Sequence, residues 1–526
     1  MKKLTSTFHV TGLWFLVLVI SFIPIFGISA QAGELSSFDV ESLLDDESVT
    51  TISLKEVVLQ ALEHNLDITV SKQSRDVRVT DILFEQAKFD PTVEMSARYD
   101  RSVAPLNRPV FGFGGVTQGA EPDNFDQNDT KASIGITQKL YSGGTYDMTL
   151  DTDRNSVAGQ SSFLFNPSYT SNFLVNFTQP LLRNFGANVN QTAIHIAQNS
   201  VQVEQYTFVN QVLEVIARVE QAYWELVFAR ENEAVFRIAL TAAKELLASN
   251  RAKVEAGVMA DVEVLQAKTG VANRVEQILV AQKAVRDQED QLRQLISPTE
   301  EDLRKTFIMV PLDRPVQQHD SAVLNQAVEA ALRQRPEVLQ AQTNIESSHL
   351  NTQLAKNQLL PRLEFQGSVG LRGLGKEPGD TLERTTSTDF YNVGAGMVLS
   401  YPLGNRSAQS QYRRRQLEAM QAKSTLQNVR RQVIVDTKEA VRRVKTDFKR
   451  MATTRIAHKL AERQRAAEQE RLDLGLSTTR QVLEFQRDEA IARVNALRAI
   501  LDYNQSLANL HRMTVATLEK YDISLQ

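Results

Sequence analysis

"LDLGLSTTRQVLEFQRDEA" runs from Leu472 to Ala490, and "VEAGVMADVEVLQAKTGVA" runs from Val254 to Ala272. In each, a lone glycine (Gly475, Gly257) closes a long charged run. Seven residues later a Val-Leu pair, Val482-Leu483 or Val264-Leu265, restarts an apolar period. The turn after a helix commonly needs a left-handed residue, which glycine supplies without strain. Both stretches therefore read as the corner of a helical hairpin.

Upstream of the first corner, Asn190–Val254 contains no proline, and Val209, Val212, Ile216, Val219, Tyr223 and Leu226 step by three and four. That is a coiled-coil seam, and a rod of that length spans about 100 Å at about 1.5 Å per residue. Arg406–Leu474 matches it, with Val441, Val444, Phe448 and Met451 on the same spacing. Returning helices end near Ile296 and near Leu518, the second marked by Val494, Leu497 and Leu501. Helical hairpins are expected over 190–297 and 406–518.

Between the helices the period falls to two. Pro91 disfavours a helical residue before it, so the capped helix opening at Ser53-Leu54-Lys55-Glu56 is expected to run to Lys88 and stop by Asp90. From there Val93, Met95, Ala97 and Tyr99 alternate with polar residues. The alternation recurs in Lys131–Leu140, Thr145–Asp151, around Phe173, Val175 and Phe177, then in Leu363–Leu371 and Tyr391–Leu399. One wet and one apolar face over about ten residues is the signature of a membrane-barrel strand. "YSGGTY" (Tyr141–Tyr146) is a tight turn, whereas Arg101–Thr130 and Arg154–Thr170 read as long polar loops.

The pattern is used twice. "AKFDPTVE" (Ala87–Glu94) is echoed by "AKNQLLPRLE" (Ala355–Glu364), and "FTQPLLRNFG" (Phe177–Gly186) by "LSYPLGNRS" (Leu399–Ser407). The expected organisation is a first repeat over 51–297 with strands about 91–180, a linker at 298–321, a second repeat over 322–518 with strands about 361–401, and a tail at 519–526.

Met1-Lys2-Lys3, the apolar Gly12–Ser29 and Ala30-Gln31-Ala32 read as a cleavable export signal over 1–32, followed by a mobile acidic stretch at 33–50. Losing Lys2 and Lys3 takes the formal charge from −4 to −6, which offers nucleic acid no basic footprint. The chain has no cysteine, which excludes a lipidated cysteine anchor, disulfides and thiolate metal sites. After Gly33 no run of about 18 apolar residues remains for a membrane helix. Six strands cannot close a membrane barrel, which needs about eight, and an open sheet in lipid leaves backbone groups unpaired. Several copies must therefore share one barrel.

At these residues the chain resembles the TolC-like outer-membrane efflux family, over roughly Thr51–Leu518. The resemblance rests on the repeat, the Pro-flanked strands, "SLKEVVLQALEHN", "TQPLL" and the two glycine corners. It implies an α+β membrane protein: a homotrimer whose transmembrane β-barrel in the outer membrane continues as a long antiparallel α-helical barrel in the periplasm. It implies a passive exit duct of a tripartite efflux or type I secretion system, docking a periplasmic adaptor (membrane fusion protein) and an inner-membrane pump. The cargo would be small molecules or polypeptides. Members give four strands per chain and twelve in the trimer; six segments here leave twelve or eighteen open.

The corners Gly257, Val258, Met259, Ala260 and Gly475, Leu476, Ser477, Thr478 are the candidate adaptor-docking tips. Glu468, Glu470 and Asp473 are candidates for an acidic ring at a tunnel entrance, as charged rings act in other pores. Family members can carry Asp where this chain has Gln469 and Ala466, so only the neighbouring acids are available. Arg413, Arg414, Arg415, Arg430, Arg431, Arg442 and Arg443 read as a solvated helix face. "GLRGLGKE" (Gly370–Glu377) has phosphate-loop spacing but no following Ser or Thr, and reads as a loop between strands. The histidines lack metal spacing, and no catalytic constellation occurs. The chain is expected to be neither an enzyme nor a cofactor carrier. The rival reading is a trimeric adhesive or structural envelope protein with coiled coils presenting a β-rich head.

Overall fold

Ser53 opens the first helix through a reciprocal cap: its hydroxyl accepts from the Glu56 amide, and the Glu56 carboxylate accepts from the Ser53 amide at 3.1 Å. The structure is a computed structural model describing residues 49–105, 111–112, 115–116, 124–158, 163–305, 307–319 and 323–524. The segment expected to be an export signal (1–32), the stretch expected to be mobile and acidic as far as residue 48, and residues 525–526 lie outside the described residues.

The described residues start with strand β1 (Val49–Ile52), then α1 (Leu54–His64) and α2 (Leu66–Gln86). One continuous helix is expected there, but Asn65 interrupts it with ψ 124. Its side chain accepts from the Asp67 amide to cap α2, and its amide nitrogen donates to the Leu295 carbonyl at 3.2 Å. The break docks the end of a later helix, which a straight rod would not do. Next come β2 (Thr92–Pro105), a minute hairpin of β3 (Phe111–Gly112) and β4 (Gly115–Val116), then β5 (Asn124–Lys139), β6 (Thr145–Ala158) and β7 (Ser168–Pro180). The short α3 (Ala187–Asn190) leads into α4 (Thr192–Glu255), which returns as α5 (Asp261–Ile296). The stretch expected as a linker carries α6 (Glu300–Arg304) and β8 (Ile308–Pro311), and β8 pairs parallel with β1. After α7 (Leu324–Gln334) and α8 (Pro336–Asn357) come β9 (Arg362–Gly375), α9 (Pro378–Thr386) and β10 (Tyr391–Ser400). The second hairpin is α10 (Arg406–Asp473) with α11 (Thr479–Met513). The returning helix ends at Met513 rather than near Leu518, because Val515 turns left-handed (φ 61) and starts α12 (Ala516–Lys520).

Along α4, helices α2 and α5 follow one another, joined by the Asn65–Leu295 bond; along α10 pack α8 and α11, with α7 beside them. The main core sits at this junction. Val212, Ile216, Val219, Tyr223 and Leu226 of the α4 seam close on Val57, Val58, Leu292 and Met309, all nearly inaccessible. Tyr223 Oη donates to Asp313 Oδ2 at 2.7 Å, and that carboxylate also accepts from the Leu54 amide at 2.6 Å. Burial first, then the Asp313 bond, pushes the Tyr223 phenol well above its ordinary range. Glu220, 1 % exposed, accepts from Tyr521 Oη and from Lys520 Nζ and so fastens α12 to α4.

A second core joins Val441, Val444 and Met451 of α10 to Tyr503 and Leu510 of α11, with Leu324 of α7 against it. Asp447 lies beside this core. Burial raises its carboxyl pKa; Arg443, at 3.7 Å, opposes this and Asp502 adds to it. A carboxyl raised in the folded state binds protons that the unfolded chain releases, so its penalty is absent in acid and appears as pH rises. Asp447→Asn is expected to raise the melting temperature at pH 7, and the gain should shrink as the buffer is taken down through the carboxylate range. A variant curve parallel to wild type at every pH would contradict this.

β2, β5, β6, β7, β9 and β10 form one antiparallel sheet in the order β10-β9-β7-β6-β5-β2. Alternation gives it two chemically distinct faces. Val93, Ile136, Met148, Val175, Val369 and Val393 stand in one row, with Met95, Ile134, Leu150, Phe173, Leu371 and Tyr391 in the next. On the opposite face Ser133 donates to Asp151 at 2.6 Å and Thr137 to Asp147 at 2.9 Å. Tyr99, Tyr169 and Tyr391 border the apolar band on one side, and Tyr146, Phe177 and Phe365 on the other. The strands run well past this band, into segments expected as loops. There Arg101 pairs with Asp126 at 2.8 Å, and Asn166 imitates a neighbouring strand by bonding both the amide and the carbonyl of Val157.

"GLRGLGKE" is strand, not loop, through Gly375, and α9 follows it. A Cβ on Gly373 would lie 2.1 Å from the Thr381 carbonyl oxygen, so this glycine admits α9 onto the sheet and leaves no cradle for phosphate.

Candidate functional site

Both helical corners end in the same backbone device. At the first, Gly257 (φ 70) donates to Val254 O at 2.9 Å and Val258 to Lys253 O at 3.0 Å. At the second, Gly475 (φ 76) donates to Leu472 O at 3.1 Å and Leu476 to Arg471 O at 2.8 Å. This is the two-bond Schellman closure, in which a left-handed residue satisfies the last carbonyls of a helix. A Cβ on either glycine would meet nothing within 4 Å. Within the chain these glycines are therefore needed for their backbone conformation and not for close packing.

The restart after each corner differs. Thr478 caps α11 with Gln481 in a reciprocal box, whereas Ala260 gives α5 no side-chain cap. The two tips also hold each other. Glu263 of the first accepts from the Thr479 amide of the second at 3.0 Å. Asn250, fully buried, donates to Thr479 Oγ1 at 2.7 Å. Lys253 pairs with Asp473 at 3.0 Å, and Leu246, Leu472, Val482, Met259 and Leu483 form a small apolar cluster. None of these cross-hairpin bonds is visible in sequence, because their partners lie far apart in the chain. The only local signal is the Thr478–Gln481 spacing.

Of the predicted tip residues, Val258 (75 % exposed) and Leu476 (67 %) present apolar side chains outward, while Met259 turns into the cluster. Ser477 donates inward to Glu468. The three acids do not share one surface. Glu468 is buried, bonded to Ser477 and paired with Arg471 at 3.3 Å; Glu470 is exposed and Asp473 faces Lys253. Within this chain Glu468 is thus held in the interior of the tip. Close to the tip, between α5 and α11, Arg274 is buried opposite Arg487, and burial followed by that like charge lowers its pKa.

Thr479→Val would leave the Asn250 amide with only its 3.3 Å contact to Glu263 O. An orphaned buried donor costs roughly 1–3 kcal/mol, so amide exchange around both tips should accelerate by roughly 5- to 100-fold while exchange at the Tyr223 core stays unchanged. Equal acceleration at both places would mean that the bond serves the whole fold.

Most of the basic residues of α10 lie exposed along it, and Arg414 and Arg415 pair with Glu418 at 2.9 and 2.8 Å. Among the described residues no group of acids and histidines could hold a metal, and no helix is long and apolar enough to cross a membrane.

Comparison with known proteins gives one consistent result. The family model described as "Outer membrane efflux protein" matches residues 145–297 and 327–514. Outer membrane protein TolC of Vibrio cholerae serotype O1 is 22% identical over 352 residues, 66% of this chain and 77% of that one. The outer membrane channel CmeC of Campylobacter jejuni is 17% identical with a TM-score of 0.61, covering 90% of each chain. VceC of Vibrio cholerae is 15% identical with a TM-score of 0.61, covering 88% of this chain and 95% of that one. At these identities the solved structures speak for the fold.

Proposed function

We propose that this chain, which belongs to the outer membrane efflux protein family, assembles as a homotrimer enclosing one passive exit duct. The protein resides in the outer membrane, and its apolar sheet face is the surface that meets lipid. The observation that carries the reading is the two-faced sheet, unpaired at both edges among the described residues, joined to helices of 64 and 68 residues. At about 1.5 Å per residue those helices extend roughly 100 Å, enough to reach across a periplasm. Two copies of one helix–strand–hairpin plan within the chain suit a closed ring of alternating hairpins. The duct supplies no energy. A periplasmic adaptor docks on the tips around Val258 and Leu476, and an inner-membrane pump drives small molecules or polypeptides through.

At the tunnel entrance, Glu470 and Asp473 from each copy are assigned to a ring that favours cations, while Glu468 stabilises the tip from within. Purified protein in a planar bilayer should conduct once the tip is loosened by Thr479→Val, and Glu470→Gln with Asp473→Asn should lower cation over anion permeability. A closed adhesive head would carry no current even with the tip loosened. Unchanged selectivity would remove the ring and leave the duct.

A further inference from the structure

We infer that the barrel wall has eighteen strands, six from each of three copies, closed by antiparallel pairing of β2 in one copy with β10 in the next. The inference rests on the trimeric duct proposed above and adds the width of its mouth.

The β5–β6 hairpin decides the number. It stands in the middle of the sheet, paired to β2 on one side and β7 on the other over most of its length. Removing it from the wall would separate β2 from β7. It also carries the wall's two-faced chemistry, with Ile134 and Leu150 on the apolar side and Ser133 bonded to Asp151 on the other. A hairpin lying outside a barrel has no reason to keep an apolar row in register with four other strands.

The edges decide the closure. Among the described residues β2 and β10 each have one neighbour, and β10 is exposed along its entire length. Within Tyr391–Ser400 there is no proline or lysine of the kind that blunts a free edge. Left open in lipid, such an edge costs several kcal/mol for each unpaired group. With six antiparallel strands per copy, β2 and β10 run in opposite directions, so their seam matches every other junction in the sheet.

The slope of the sheet agrees. The row starting at Thr92, the foot of β2, passes Thr137, Asp147, Asn176 and Ser368 to reach Gly394. That is six residues above Ser400, the foot of β10. Six residues at about 3.3 Å, gained over five strand spacings of about 4.8 Å, correspond to a tilt of about 40°. Closed barrels tilt their strands by about 35–45°, so this sheet can close without changing its slope. Because diameter grows about linearly with strand number, the mouth is about half as wide again as a twelve-strand one. It falls in the class whose lumen is an aqueous channel, which leaves the helical tips as the narrow point for cargo.

The chain has no cysteine, so the seam can be mapped by cross-linking the full-length protein. Met397→Cys would be combined in turn with Val93→Cys, Met95→Cys, Ala97→Cys and Tyr99→Cys, and the wild type imaged in lipid nanodiscs. The expected result is a covalent ladder ending at three copies, strongest for Met95→Cys or Ala97→Cys, and a three-fold particle with eighteen wall strands. A three-fold particle with twelve wall strands, or no ladder from any well-assembled pair, overturns this inference and leaves the exit duct standing. Particles without a shared barrel overturn both. Should the cysteine variants fail to assemble, the wild-type image alone decides.

Discussion

Arginine in place of Val175 is expected to remove the assembled protein from outer membranes. Val175 stands in the middle of the apolar row, between Met148 and Val369, neither of which can answer a charge. At the bilayer midplane a lipid-facing arginine costs about 2–4 kcal/mol. In the proposed trimer three copies share one wall, so the assembly loses roughly 6–12 kcal/mol, comparable to the whole stability of an ordinary domain. The neighbouring position supplies the control. Asn176 lies on the opposite face with its amide 3.4 Å from Asp147, where an arginine would find a carboxylate and water. Asn176→Arg should therefore accumulate as wild type. Fractionated membranes probed for the trimer band without boiling give the measurement. Retention of Val175→Arg together with loss of Asn176→Arg would invert the two faces and with them the duct.

The same contrast explains which parts of the fold can be read without coordinates. In lipid no residue on the outer face can be polar without penalty, so the period of two from Val93 to Tyr99 and from Tyr391 to Leu399 is written in side chains. Above the lipid the constraint lapses. The outer parts of β2, β5 and β6 are held by backbone pairing, by Arg101 with Asp126 and by Asn166 at Val157. Those devices leave no periodic trace, and so the same residues read as loops. The parallel pairing of β1 with β8 joins two four-residue strands from distant parts of the chain, far too short to declare themselves.

At the helical corners the legible part is local and the hidden part is relational. Gly257, Gly475 and the Thr478–Gln481 box act within a few residues of themselves, and their chemistry is explicit in the sequence. The bonds of Thr479 with Glu263 and Asn250 exist only because two hairpins finish side by side. Glu468 illustrates the difference. The sequence shows an acid near the tip, and only the structure shows that it is bonded to Ser477 and Arg471. The Asn65 break lies between these cases: an Asn two residues before Asp67 is a recognisable cap signal, but the Leu295 carbonyl that rewards the break is not.

The exposed pair at the tips leads to the other large effect. Val258 and Leu476 are 75 % and 67 % exposed, and Leu474 beside them is 69 % exposed. Substituting aspartate at Val258 and Leu476 removes no core contact, so the cost to folding should stay within about 0.5 kcal/mol. Docking is another matter if an adaptor covers these side chains. Each apolar side chain withdrawn from water contributes about 1.5–3 kcal/mol, and each carboxylate put in its place must be desolvated without a partner. Six such tips in a trimer multiply the loss. Cells relying on this chain should become as sensitive to dyes, detergents and metals, or as poor in secretion, as cells lacking it. The trimer band should stay at the wild-type level, and in the Thr479→Val background the bilayer current should be the same with and without the two aspartates, a combination that a misfolded or blocked channel cannot give. Undiminished export by the double variant would move the docking surface off these tips and down the flanks of the hairpins.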